Sequence, residues 1–159
     1  MRITACPLRR PKTPKPSFEP KSRLGMQFIA DTGFVAGFWD PNDRIREWVR
    51  GIAGRHPGPH LTCEPVLVEA SYLVGPSRVA RVFAEGDYLV DFQWQFERAE
   101  VLELLARYAD REMDVADACL VLMAEANPNL KVLTIDRKDF SIYRTRRGKP
   151  IRCEYPPLE

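Results

Sequence analysis

Two short apolar runs, Phe28-Ile29-Ala30 and Val132-Leu133-Thr134-Ile135, each stop at an aspartate, Asp31 and Asp136. A buried strand that ends in a carboxylate at a turn or helix start puts that carboxylate on the carboxyl edge of a sheet. In open α/β sheets that edge is where ligands bind. The pattern between the two ends alternates. After Asp31, a helix-like run covers residues 33–39. The turn Asp40-Pro41-Asn42-Asp43 opens a helix whose Ile45, Trp48, Val49 and Ile52 fall at i, i+3, i+4 and i+7, with Gly51 and Gly54 weakening its end. Residues 60–63 read as a second strand and 65–74 as a helix that is apolar nearly all round. Residues 77–84 form a short helix capped by Ser77, and 88–92 a weak strand suited to an edge. Residues 95–109 read as an amphipathic helix, 113–126 as the central and most buried helix, 131–135 as a fourth strand and 151–154 as a last one. This succession predicts an α/β fold, a three-layer α/β/α sandwich around a mainly parallel sheet of four to five strands.

The 159 residues suit one domain with a sizeable core. No apolar run approaches the roughly 18 residues of a membrane helix, and no signal-peptide pattern opens the chain. Cys6, Cys63, Cys119 and Cys153 have neither CxxC spacing nor the density of a disulfide scaffold, which points to a reducing cytoplasm. His56 and His60 are the only histidines, and their Gly/Pro-rich setting suggests the surface. A His-based zinc site or a His general base is therefore not expected. Charge is unevenly spread: residues 1–25 hold seven Lys/Arg and one acid, while residues 26–159 hold 17 Lys/Arg and 21 Asp/Glu, a net of −4. The Pro-rich basic segment 1–25 reads as a solvated extension or as an arm for nucleic acid. Met26, just before the first strand, is an alternative start. Residues 26–159 are the folded domain.

Five acids are expected at one edge. Asp31 and Asp136 end strands, Asp114 and Asp117 open the central helix at i and i+3, and Glu69 interrupts an apolar helix. Each has a local alternative: Asp114 as a helix cap, Asp31 and Asp136 as turn residues, Glu69 on a solvent-facing stripe. Together they form an all-oxygen donor set, which suits Mg²⁺ or Mn²⁺. A carboxylate-held divalent ion activates water and stabilises charge on phosphorus. There is no P-loop, no GxGxxG and no Ser or Cys beside a base, so metal-assisted phosphodiester hydrolysis is the best-supported reaction class. Arg137 and Lys138 beside Asp136, followed by Arg144, Arg146, Arg147 and Lys149, are candidates for a nucleic-acid backbone; a solvated turn or a protein contact is the alternative.

Four segments carry a resemblance: Phe28-Ile29-Ala30-Asp31-Thr32, Pro65-Val66-Leu67-Val68-Glu69-Ala70, Met113-Asp114-Val115-Ala116-Asp117-Ala118, and Leu133-Thr134-Ile135-Asp136 with Asp139-Phe140. In order and spacing they resemble PIN-domain ribonucleases, a family that includes VapC-type toxins of toxin–antitoxin systems. The resemblance implies a Mg²⁺- or Mn²⁺-dependent ribonuclease with catalytic acids Asp31, Glu69, Asp117 and Asp136. It implies metal ligands Asp31, Asp117, Asp136 and Asp114, and supporting hydroxyls Thr32 and Thr134. Glu64 is an alternative to Glu69. An RNA substrate, a homodimer and a cognate antitoxin are the implied partners, with no membrane. The family's first strand normally starts near the initiator Met, so residues 1–25 depart from its pattern. Two other readings stay open: a non-catalytic PIN-like module binding RNA or protein, and a receiver-like phospho-acceptor domain.

Overall fold

The computed structural model describes residues 28–158; the segment 1–25 lies outside them. Strand β1 (Phe28–Ala30) is buried along its whole length. A strand covered on both faces belongs in the middle of a parallel sheet, and β1 is central. The sheet adds β2 (His60–Thr62), β3 (Tyr88–Val90), β4 (Lys131–Leu133) and β5 (Cys153–Glu154) in the order β3-β2-β1-β4-β5, every pair parallel. Seven α-helices complete a three-layer α/β/α sandwich among the described residues: α1 (Thr32–Ala36), α2 (Asp43–Arg55), α3 (Glu64–Val74), α4 (Pro76–Ala84), α5 (Trp94–Arg107), α6 (Val115–Ala126) and α7 (Arg137–Phe140). None of the described helices is long and apolar enough to cross a membrane.

The strand order fixes where a ligand can sit. From β1 the chain steps outward through β2 to β3, then returns to the other side of β1 as β4 and β5. Where the order reverses, a crevice opens beyond the carboxyl ends of the two adjoining strands. Those strands are β1 and β4, and the residues just past them are Asp31 and Thr134-Ile135-Asp136. Helix α6, expected as the most buried, lies against β1, β4, α3 and α5 and buries Ala116 and every residue from Ala118 to Ala124.

Helix α2 reaches Arg55 through the weak helix formers Gly51 and Gly54, since burial of Trp48, Val49 and Ile52 offsets their low propensity. Other expectations are corrected. Helix α3 is apolar in sequence but is not buried all round. Only Val66 and Ala70 are buried, while Val68, Tyr72 and Leu73 are 70%, 91% and 63% exposed. It belongs to an outer layer, and composition alone does not say which side faces inward. Ser77 does not cap α4, which begins at Pro76 after Gly75 (φ +91°), with no side-chain cap. The strands β3 and β4 end at Val90 and Leu133, short of the expected 92 and 135.

His60 is not at the surface. It is 4% exposed at the start of β2, ringed by the edges of Phe28, Phe34 and Tyr88. Its Nδ1 has no hydrogen-bond partner among the described residues, and burial, with His56 nearby, pushes its pKa down to about 4. β2 lies between β1 and β3, and the rings of Phe28, Phe34 and Tyr88 cover the His60 side chain. The loop before β2 is tight. A Cβ on Gly58 would lie 2.4 Å from the Asp87 carbonyl oxygen, the group that accepts the His60 N–H at 2.8 Å. Gly58→Ala should therefore push the loop off β3 and cost about 1–3 kcal/mol. Urea unfolding of the variant should show a lower midpoint with an unchanged slope.

Candidate active site

Asp31 continues the β1–β4 ladder, its N–H donating to the Leu133 carbonyl at 3.1 Å. Its side chain is 8% exposed. Oδ1 accepts the Thr32 N–H at 2.6 Å, capping α1, and Oδ2 accepts the Thr134 hydroxyl at 2.6 Å. Burial raises its pKa to about 6; these two bonds oppose the rise, and Glu69 and Asp114 add to it. The two threonines extend the network in opposite directions. Thr32 donates its hydroxyl to Glu69 Oε2 at 2.8 Å, and Thr134 Oγ1 accepts the Asp136 N–H at 3.0 Å. One hydrogen-bonded relay thus joins Glu69 on α3 to Asp136 beyond β4 through Asp31.

Asp114 caps α6, its Oδ1 accepting the Asp117 N–H at 2.8 Å. Asp117 Oδ2 accepts the Tyr143 hydroxyl at 2.9 Å. Burial, followed by the charge of Asp114, raises the Asp117 pKa to about 8, with further contributions from Asp31 and Asp136. Glu69 is raised by burial and by Asp114. Asp136 caps α7 by accepting the Asp139 N–H on Oδ1 at 2.9 Å. Capping and clustering, which read as alternatives in the sequence, occur together. In Glu69, Asp114, Asp117 and Asp136, one carboxylate oxygen is held by the chain's own donor. The other oxygen of each has no hydrogen-bond partner among the described residues. None of these acids, nor Asp31, forms an ion pair with a described Lys or Arg.

The remaining candidates are placed differently. Glu64 is exposed in the first turn of α3. Arg137 lies 4.3 Å from the centre of the Tyr155 ring and donates to the Pro156 carbonyl at 3.1 Å. Arg144 donates Nη1 to the carbonyls of Ser141, Ile142 and Tyr143, each at 2.8 Å. Arg146 pairs with Glu100 and Glu125. Lys138, Arg147 and Lys149 are exposed, and none forms an ion pair among the described residues. Tyr143 has no counterpart among the sequence candidates, because its contact with Asp117 depends on a turn that carries it back to α6.

Local packing fixes the approach of the two strand ends. A Cβ on Gly33 would lie 2.5 Å from Ile135 Cγ1, so α1 passes close to the loop that carries Asp136. Among the described residues no three His, Cys, Asp or Glu side chains are arranged to hold a metal ion. Mg²⁺ ordinarily retains several waters and takes only one or two carboxylates, so it requires no such cage. The donor chemistry fits a hydrated hard cation: oxygen ligands only, repelling one another, with no cationic side chain among the described residues paired to them. No family model and no curated protein matches this chain.

The raised pKa of Asp117 has a stability consequence. Its folded value, about 8, lies above the ordinary aspartate value. The protonated native form is therefore favoured, and the associated stability is complete below about pH 4 and lost as pH rises through 8. Asn cannot ionise, so Asp117→Asn should gain stability over the parent as pH rises, reaching on the order of 2–5 kcal/mol at pH 8. Denaturation curves between pH 4 and pH 8 should show that gain shrinking towards zero at the acid end.

Proposed function

We propose that this chain is a divalent-cation-dependent endoribonuclease of the PIN-domain kind. The observation that carries the reading is the group of acids at the carboxyl edge between β1 and β4, drawn from four separate segments and unpaired with any described Lys or Arg. Desolvation, with neighbouring carboxylates adding to it, raises the pKa of Asp31, Glu69 and Asp117, and a divalent cation relieves both. One or two of Asp31, Asp114, Asp117 and Asp136 would hold a hydrated Mg²⁺ or Mn²⁺ directly and the others through its waters, and Glu69 lies beside them. When bound, such an ion supplies an activated water and stabilises charge on the phosphate. The chain's own donors aim the acids: Thr134 and the Thr32 N–H hold Asp31, the Thr32 hydroxyl holds Glu69, and Tyr143 holds Asp117. Glu69 Oε1, free of hydrogen bonds among the described residues, can accept a proton from water. Exposed Lys138, Arg147 and Lys149 suit contacts with the RNA backbone. The apolar side of α3, with Val68, Tyr72 and Leu73, supports a protein partner, whether a second copy or a cognate antitoxin.

A second reading, a non-catalytic module for RNA or protein, draws on the absence of a three-donor metal cage among the described residues. The receiver-like reading loses support, because its strand order is 2-1-3-4-5 and the order here is 3-2-1-4-5. Single-stranded RNA incubated with Mg²⁺ or Mn²⁺ tests the choice. The parent chain should cleave it, chelation should stop cleavage, and Asp31→Asn should lower the rate by about 100-fold or more. RNA binding without cleavage under either cation would favour the module, and equal cleavage by Asp31→Asn would sink the nuclease reading.

A further inference from the structure

The turn that follows α7 connects two of the acids. Asp136 Oδ1 accepts the Asp139 N–H, the Asp139 carbonyl accepts the Tyr143 N–H at 3.0 Å, and the Tyr143 hydroxyl donates to Asp117 Oδ2. A short segment thus starts on the acid beyond β4 and ends on the acid of α6. The Tyr143 side chain is held from several sides. Only 1% of the residue is exposed, and its ring meets Tyr108 and Phe140 edge-on at centroid distances of 5.1 and 5.5 Å. Its backbone is held as well. Arg144 Nη1 donates to three successive carbonyls, Tyr143's among them, and the Arg144 N–H donates to the Tyr108 hydroxyl at 2.9 Å.

A carboxylate in the first turn of a helix can rotate. With Oδ2 bonded to a tyrosine whose ring is buried against Tyr108 and Phe140, rotation of the Asp117 carboxylate is restricted and Oδ1 is left for a ligand. We infer that Tyr143 is the positioning residue of Asp117, and that Arg144 serves as the brace of the turn that presents Tyr143, its guanidinium directed at carbonyls and not at the RNA. This inference rests on the nuclease reading for its kinetic consequences, but its structural content is separate. Partners that orient metal-binding or catalytic carboxylates typically contribute 10- to 100-fold in activity or metal affinity.

The test uses the full chain, a single-stranded RNA substrate and Mn²⁺. Tyr143→Phe keeps the ring packing and removes only the hydroxyl. It should lower kcat by about 10- to 100-fold with KM unchanged within about twofold, and weaken Mn²⁺ binding in parallel. Arg144→Met keeps the aliphatic stem and removes the donor to the three carbonyls, so it should also lower kcat at constant KM. A rise in KM alone would make Arg144 an RNA contact and overturn the brace. Kinetics of Tyr143→Phe equal to the parent's would overturn the positioning role. If the parent neither cleaves RNA nor binds Mn²⁺, the nuclease reading fails and carbon-13 NMR of the Asp117 carboxyl decides the inference. A resonance displaced in Tyr143→Phe supports it, and an unmoved one overturns it. Should Tyr143→Phe not fold, Arg144→Met carries both measurements.

Discussion

Asp31 is a charged group placed where a charge is costly. It sits at the end of the central strand, in the crevice formed where the strand order reverses, and it is almost fully buried. Two short hydrogen bonds, from the Thr32 N–H and the Thr134 hydroxyl, hold its carboxylate. Burial still outweighs them, and its pKa stays raised. Much of the local structure depends on this one group. Its N–H continues the pairing of β1 with β4, its Oδ1 starts α1, and its Oδ2 fixes Thr134, which holds the backbone N–H of Asp136. The native state therefore gains order from a carboxylate while bearing its desolvation. A cation in the crevice would turn that cost into affinity.

The basic residues divide by location. Those nearest the acids in sequence are largely engaged with the chain itself: Arg144 with carbonyls, Arg137 with Tyr155 and Pro156, Arg146 with Glu100 and Glu125. Lys138, Arg147 and Lys149, exposed and without acidic partners among the described residues, lie on the same stretch but face outward. An acidic crevice by itself repels a phosphate. In the proposed nuclease the cation supplies attraction at the centre, while these residues supply it at the periphery.

Much of this was legible in the sequence because periodicity reports burial. Helix α6 was readable as the central helix, since apolar residues occupy nearly its whole circumference. Helix α3 is as apolar in sequence, yet its Val68, Tyr72 and Leu73 face outward. An apolar sequence gives a helix its affinity for a partner but does not specify which partner. His60 was misplaced for the converse reason: a Gly/Pro-rich loop precedes it, but its own position is a strand start in the sheet interior.

The sequence by itself determined the α/β alternation, the strand ends at Asp31 and near Asp136, and the opening of α6 with Asp114 and Asp117. These are local consequences of apolar spacing and of acids at helix starts. Tertiary structure alone decided which oxygens are held and which are left free. The Thr32–Glu69 and Thr134–Asp31 bonds join residues 37 and 103 positions apart, and no local pattern encodes such distances. Tyr143 shows the same limit. Its role depends on where a turn built by Asp139 and Arg144 carries it back to α6, and that position is set by packing between layers.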